Sequence, residues 1–321
     1  MHLLRLLADG GLHSGEELGA RLGISRTAVW KQLAAWRKRG LIIDVVPGKG
    51  YRLAVALECW DEAGLLAGLD SVARNSVSEL VIEERVGSTN DVVLERLRAC
   101  KTSGVICLAE EQVAGRGRRG REWLSPFGVN FYGSVGWVFS EVALVEGLSL
   151  AVGVAVIRAL KRYGMNGAQL KWPNDIVVGE AKLGGVLIEL QAEAQGPCLV
   201  VIGLGLNLHL PDMASKFLGR PVTDVCAQTP FPLRRNELGS LLLSELLLLL
   251  RDYTHHGFAG VRDEWLQHDA LRDMPVVVTG LDRELSGIAR GVNLQGALQV
   301  EMGQEMMAIH GGEVSLRKRP E

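Results

Sequence analysis

The chain has 321 residues, of which 47% are hydrophobic and 22% charged, and its formal net charge is −2. A chain this long buries a substantial core without disulfides or a structural metal, and this composition excludes a wholly disordered chain and a collagen-like fibre. The near-neutral total hides a segregation. Residues 1–60 hold nine basic and five acidic side chains, a net +4, and the remainder holds 26 basic and 32 acidic, a net −6. A small basic module therefore precedes a mildly acidic body.

In chain order, Leu3, Leu4, Leu6 and Leu7 give the opening segment an apolar helical side that ends at Gly10-Gly11. Ser14-Gly15-Glu16-Glu17 fits a capping box, in which serine and glutamate satisfy each other's backbone N–H groups, and it starts a short second helix marked by Leu18 and Leu22. Gly23 permits a tight turn. Ser25 caps a third helix with Val29, Leu33 and Trp36 on one face, and Gly40 stops it. Residues 42–46, a turn at Pro47-Gly48-Lys49-Gly50 and residues 51–53 read as a hairpin. The turn lacks the full phosphate-loop pattern. Helix, turn, helix and basic hairpin make a winged helix-turn-helix, whose second helix enters the DNA major groove. Ser25, Arg26, Thr27, Trp30 and Lys31 stand at or near that helix's exposed start, with Lys49 at the wing tip. Such side chains reach base edges or phosphates. One module covers little DNA, so a dimer reading two half-sites is expected.

A boundary falls near residues 55–65. Beyond it, residues 105–109, 135–138, 176–178, 186–190 and 199–203 read as strands, and 148–160 and 237–252 as helices, which together predict a mixed α+β sheet domain. The leucine-rich run at 241–250 contains Ser244 and Glu245 and is shorter than the roughly 20 residues that cross a bilayer, so it reads as a buried helix. From about residue 274 the pattern becomes short strands at 276–279, 287–291, 297–300 and 314–316, predicting a small β-barrel or sandwich. Length alone suggests about two domains; the segments predict three, at 1–60, 61–270 and 271–321.

Cys59, Cys100, Cys107, Cys198 and Cys226 are odd in number and form no CxxC, which points to a reducing compartment and away from a disulfide framework or a cysteine zinc site. No secretory signal opens the chain. The adjacent His255 and His256 do not share a helix face and read as surface residues, so no structural zinc is expected.

The most informative segment is residues 110–123, Glu-Glu-Gln-Val-Ala-Gly-Arg-Gly-Arg-Arg-Gly-Arg-Glu-Trp. Gly115, Gly117 and Gly120 match GxGxxG, but Ser125 and Pro126 break the helix that a dinucleotide fold requires. Glycines permit close backbone approach to an anion, and arginines offer planar, permanently charged donors to phosphate or carboxylate. The loop therefore suits a carboxylate brought against a nucleotide phosphate, although RNA binding or a plain surface loop would use the same residues. Ser88-Thr89-Asn90 supplies compact donors and acceptors before a helical pattern. Lys171-Trp172-Pro173-Asn174-Asp175 combines a cation, a rigid turn and a carboxylate able either to meet Mg²⁺ beside phosphate or to cap a turn. Lys182 precedes Gly184-Gly185, and Gly203 to Asn207 end another strand with flexible backbone. Together these polar interruptions of apolar strands outline the rim of one nucleotide site.

The combination closely resembles the bacterial bifunctional biotin–protein ligases that double as biotin operon repressors. The resemblance covers nearly the whole chain: the winged module, Ser88-Thr89-Asn90, Gln112, residues 115–121, residues 171–175, Lys182-Leu183-Gly184-Gly185 and the glycine-rich carboxyl-terminal module. It implies a winged helix-turn-helix, a central mixed α/β catalytic domain of the biotin/lipoate-ligase type and a small SH3-like β-barrel. It also implies that ATP, with Mg²⁺, activates biotin as biotinyl-5′-AMP, and that a lysine of biotin carboxyl carrier protein then takes the biotin. By the same resemblance, Ser88, Thr89, Asn90, Gln112, Gly115, Arg116, Gly117, Arg118, Lys182, Gly185, Gly203 and Asn207 contact biotin or its adenylate. Arg118, Arg121, Asp175 and Lys182 carry the catalytic roles, with Asp175 the candidate Mg²⁺ ligand. Adenylate binding favours a homodimer that binds operator DNA, and the expected compartment is the cytoplasm. Members of the family can cover adenine with a tryptophan where residues 213–223 here offer Phe217. A lipoate–protein ligase and an adenylate sensor that no longer transfers biotin are the alternatives.

Overall fold

The computed structural model describes residues 2–38, 41–54, 57–141, 145–192, 197–210, 219–280, 284–311 and 315–318. Gly40, Val314 and Phe217 lie outside the described residues.

The opening module comprises α1 (His2–Leu7), α2 (Gly15–Leu22), α3 (Arg26–Lys38) and the hairpin β1 (Ile43–Val46) with β2 (Gly50–Leu53). Ser14 Oγ accepts the Glu17 N–H at 3.0 Å, as the capping motif predicts. The reciprocal half is replaced: Glu17 turns its carboxylate to Arg21 (3.0 Å), one turn along the helix. Ser25 Oγ accepts from the Ala28 N–H at 3.2 Å. Leu18, Val29, Leu33, Trp36, Ile43 and Leu53 form the module's core, which Phe127 of the central body joins, its ring centroid 4.6 Å from that of Trp36. The Leu57 N–H donates to Ala8 O (3.1 Å), whereas Trp60 is buried in the central core.

The central body continues with α4 (Glu62–Gly68), α5 (Ser71–Arg74), β3 (Glu79–Glu83), α6 (Thr89–Cys100), β4 (Val105–Ala109), β5 (Phe131–Phe139), α7 (Leu148–Tyr163), β6 (Gln169–Lys171), β7 (Asp175–Val178), β8 (Ala181–Ala192), β9 (Cys198–Leu206), α8 (Val225–Gln228), α9 (Arg235–His256) and α10 (Arg262–Gln267). The strands form one seven-stranded sheet in the order β3-β4-β5-β9-β8-β7-β6, parallel only between β3 and β4. One face carries α6, with Val93 and Leu97 packed on Cys107, Leu199 and Val201. The other carries α7 and α9, whose leucines enclose Ile106, Val135, Val200 and Ile202. The leucine-rich run thus lies within α9 and is buried, and no described helix is long and apolar enough to cross a membrane. The short strands β3 and β6 escape the sequence reading because neither carries a regular alternation.

The carboxyl-terminal module holds β10 (Pro275–Thr279), β11 (Leu285–Val292), β12 (Leu298–Met302), β13 (Glu305–Ile309) and β14 (Ser315–Lys318), in the order β13-β12-β11-β10-β14. It is all-β as expected, although the described pairings form an open order rather than a closed ring. The strand β13, Glu305-Met306-Met307-Ala308-Ile309, places its one β-branched residue at its end, and its opening residues favour a strand weakly.

The register creates the site. Ser134 pairs with Gly203 and Gly203 with Leu187, while Gly205 pairs with Tyr132 and Gly185. Alternation puts Gly185, Leu187 and Glu189 on one face. A Cβ on Gly203 would come within 2.4 Å of Asn90 Oδ1, and one on Gly205 within 2.5 Å of the Trp123 ring. These two glycines therefore let α6 and the arginine loop reach the sheet.

Candidate active site

A cavity of about 320 Å³ lies between this glycine-rich face, the start of α6, the loop after β4 and the β7–β8 hairpin. Its polar floor begins at the α6 N-terminus. Ser88 Oγ accepts the Asn90 N–H (3.3 Å), the Thr89 N–H donates to Gln112 Oε1 (2.8 Å), and the Thr89 hydroxyl oxygen lies 3.1 Å from that same amide oxygen. The buried Ser134 hydroxyl lies 2.7 Å from Thr89 Oγ1 and 2.6 Å from Asn90 Oδ1. Asn90 Nδ2 donates to Glu189 Oε2 at 2.8 Å.

The loop is anchored at both ends. The Val113 and Ala114 N–H groups donate to Val86 O (3.0 Å) and Gly87 O (2.9 Å), and the Trp123 N–H donates to Gly115 O (2.9 Å). Gln112 Nε2 donates to Ser125 Oγ at 3.2 Å. The loop's Arg118–Gly120 is only a short 3-10 turn, consistent with rejection of a dinucleotide fold. Arg116 binds Asp91 bidentately (2.9 and 2.6 Å) and approaches Glu189 at 3.5 Å. That pairing holds the Asp91 carboxyl below its ordinary range.

At the opposite end Arg118 donates to Asn174 Oδ1 (3.4 Å), and burial lowers its pKa against the pull of Asp175. The half-buried Lys182 is salt-bridged to Asp175. Burial lowers the Lys182 pKa while Asp175 opposes that shift, so the ammonium is held beside a carboxylate in a partly dry site. The Lys182 ammonium lies 5.3 Å from the centroid of the Trp123 ring, whose Nε1 is buried without a hydrogen-bond partner. Arg121 is exposed at the rim. One end of the cavity thus offers neutral donors and acceptors, and the other offers clustered cations suited to carboxylate and phosphate oxygens.

Ser88, Thr89, Asn90, Gln112, Arg116, Gly117, Arg118, Arg121, Asp175, Lys182, Gly185 and Gly203 all line this one cavity. Gly115 and Asn207 do not. Gly115 forms the neck of the loop, and the buried Asn207 donates from Nδ2 to Lys182 O (3.3 Å) and Thr223 O (3.1 Å), bracing the backbone beneath Lys182. The Arg116 guanidinium is engaged by Asp91 and Glu189, so its contact with a ligand would come from elsewhere in the residue or after that pair opens. Trp123, Arg220 and Leu316 also line the cavity. Leu316 comes from β14, far away in sequence, and only tertiary contact reveals it; Ser134 and Glu189 carry a signal in being polar within apolar strands. Among the described residues, no cluster of three or more His, Cys, Asp or Glu side chains could hold a metal. Asp175 is salt-bridged to Lys182, and Glu122 and Glu180 also line the cavity without forming a metal cluster with it, which fits an ion that brings phosphate oxygens with it better than an all-protein site.

In the opening module Ser25, Arg26, Thr27, Trp30, Lys31 and Lys49 are all exposed, the Trp30 side chain 57% so. They form a candidate nucleic-acid interface on α3 and the hairpin.

Comparison with known proteins agrees with this layout. Residues 82–207 match the model of the biotin/lipoate A/B protein ligase family, residues 1–52 a helix-turn-helix domain and residues 274–317 the biotin protein ligase C-terminal domain. The chain is 36% identical over 318 residues to the bifunctional ligase/repressor BirA of Escherichia coli, covering 99% of this chain and 97% of that protein. Its similarity to the Salmonella typhimurium protein of the same name is 37% over 316 residues, covering 98% and 96%. Among solved structures it resembles the Aquifex aeolicus biotin protein ligase in complex with biotin and ATP, with a TM-score of 0.64, 26% identity and coverage of 75% of this chain and all of that one.

Proposed function

The chain belongs to the family of bacterial bifunctional biotin–protein ligases and repressors, and from that premise we propose that it is an ATP-dependent biotin–protein ligase that also represses transcription of biotin biosynthesis genes. The observation that carries the ligase reading is the two-ended cavity: a neutral polar floor at Thr89, Asn90 and Gln112, and cations at Arg118, Arg121 and Lys182.

The biotin carboxylate attacks the α-phosphorus of ATP, pyrophosphate leaves, and biotinyl-5′-AMP remains. A lysine amine of biotin carboxyl carrier protein then attacks the acyl carbon, forms the amide and releases AMP. The attacking groups belong to the substrates, so the protein aligns them and neutralises charge. Ser88, Thr89, Asn90 and Gln112 bind the head group. Arg118 and Arg121 order the loop around the phosphate, and Lys182 bridges carboxylate and phosphate oxygens as they approach. Gly117, Gly185 and Gly203 keep backbone close to the ligand. Asp175 would be the residue to hold a Mg²⁺ ion carried by ATP, which would supply charge neutralisation at the phosphates.

The working divisions are 1–60 for DNA binding, 61–270 for catalysis and 271–321 for the small β module. Biotinyl-5′-AMP acts as corepressor by favouring a homodimer on operator DNA, in the cytoplasm. The test is purified protein with ATP, Mg²⁺, biotin and carrier protein, followed by intact mass. The expected result is a single biotin-mass increase on the carrier. No increase from folded protein, or lipoate taken instead, would overturn the reading.

A further inference from the structure

Glu189 does not line the cavity, yet a chain of hydrogen bonds leads from this half-buried carboxylate to the buried floor. A carboxylate only accepts hydrogen bonds. Because Glu189 Oε2 sits 2.8 Å from the Asn90 amide nitrogen, that amide cannot turn over, and Asn90 Oδ1 must face Ser134. The Ser134 hydroxyl is 1% exposed and 2.6 Å from this oxygen, so it donates there. Its one proton is then used. The 2.7 Å contact between the Ser134 and Thr89 hydroxyls therefore has Thr89 as donor. Gln112 Oε1 is still supplied by the Thr89 N–H at 2.8 Å. Thr89 Oγ1 consequently turns lone pairs, rather than a proton, towards the cavity it lines. Arg116, 3.5 Å from the other Glu189 oxygen, supplies the opposite charge.

We propose that Glu189 is a positioning residue that sets the hydrogen-bond polarity of the cavity floor, so that the site selects a ligand head group presenting N–H donors. The inference rests on the biotin reading above, since the ureido ring of biotin presents such donors. A head group with acceptors alone at that point would face lone pairs and leave buried groups unpaired.

The experiment titrates the full-length protein with biotin and separately with ATP by calorimetry, with thermal unfolding of the same samples. Glu189→Gln lets the new amide donate to Asn90, which reverses the relay; biotin Kd rises by about tenfold or more while ATP Kd stays within about twofold. Ser134→Ala, which interrupts the relay one step nearer the cavity, shows the same split. The double variant Asn90→Asp/Glu189→Gln conserves total charge and restores the original direction, since the amide at 189 now donates to a carboxylate at 90. Its biotin Kd falls at least about threefold below that of Glu189→Gln, while the altered floor residue at 90 keeps a cost of its own relative to wild type. If Glu189 served only to hold Arg116 and the loop, the second substitution would not rescue the first. Unaltered biotin affinity in Glu189→Gln, or a double variant no better than the single one, overturns the inference. Wild-type protein that binds biotin while Glu189→Gln is unaltered defeats this inference alone; wild-type protein that binds none defeats the ligase reading with it.

Discussion

Arg235→Met removes a guanidinium that is 2% exposed from a partner, Glu110, that is 0% exposed. Arg235 also donates to Asn130 O (3.2 and 2.7 Å) and Glu58 O (3.1 Å) and lies 3.9 Å from the centroid of the Trp60 ring. Without it Glu110 keeps only the Trp60 N–H (2.7 Å) as a compensating donor in the described network. Stranding one member of a buried pair costs about 3–5 kcal/mol. The lost cation–π contact adds about 1–2 kcal/mol, and the flexible methionine side chain recovers part by filling the space. The net expectation is a loss of about 4 kcal/mol. For a unit of roughly 200 residues that corresponds to a fall in Tm of about 8–16 °C. Denaturant unfolding of wild type, Arg235→Met, Glu110→Gln and the double variant measures it directly. The double variant should be more stable than the sum of the single losses predicts, by about 2 kcal/mol or more, because the uncompensated charge is gone. A loss below about 1 kcal/mol for Arg235→Met, or additive losses, would refute the reasoning.

Three further outcomes follow from other parts of the molecule. Gly205→Ala would place a methyl 2.5 Å from the Trp123 ring and push it away from Lys182, so biotin affinity should fall about tenfold in a folded protein; unchanged affinity would show that this close approach is absent in solution. Arg118→Gly removes a half-buried cation from the loop, and adenylate release, followed by rapid mixing, should be faster; an unchanged release rate sinks that role. Burial raises the Asp269 carboxyl from 3.8 to about 6, with Oδ2 unpartnered, so the folded state binds more protons than the unfolded state between those values. Stability from this group is therefore present at pH 4 and lost as pH rises through about 6, by up to about 3 kcal/mol. Asp269→Asn should stabilise the protein at pH 8 and give little benefit at pH 4; a benefit that does not vary with pH contradicts the assignment.

Local chemistry made much of the fold legible. The opening module is written in short-range signals, with Ser14 and Ser25 as caps and Val29, Leu33 and Trp36 on one face, and each of these features is found. The strands with dense apolar runs are also found, though longer than their apolar segments: β8 extends to Ala181–Ala192 because sheet pairing carries polar residues along. The short strand β3 was not legible, because its pairing with β4, rather than its composition, makes it a strand. Within the site, the arginine loop and Lys182 stand out by residue type. Asn207 has the right type and neighbourhood but turns its amide to backbone carbonyls, a distinction invisible without coordinates.

The chemistry available to this protein is a property of its order of residues: a basic module ahead of an acidic body, and glycines interleaved with arginines. Those features act locally, through charge and backbone freedom, so they survive being read in one dimension. Which of them meet is a property of register. The pairing of Ser134 with Gly203 and of Gly205 with Gly185 clears a floor onto which Asn90 and Trp123 descend, and it sets Glu189 behind that floor rather than within it. A shift of one residue in β8 or β9 would turn that strand's side chains to the opposite face of the sheet, taking the same residues away from the cavity.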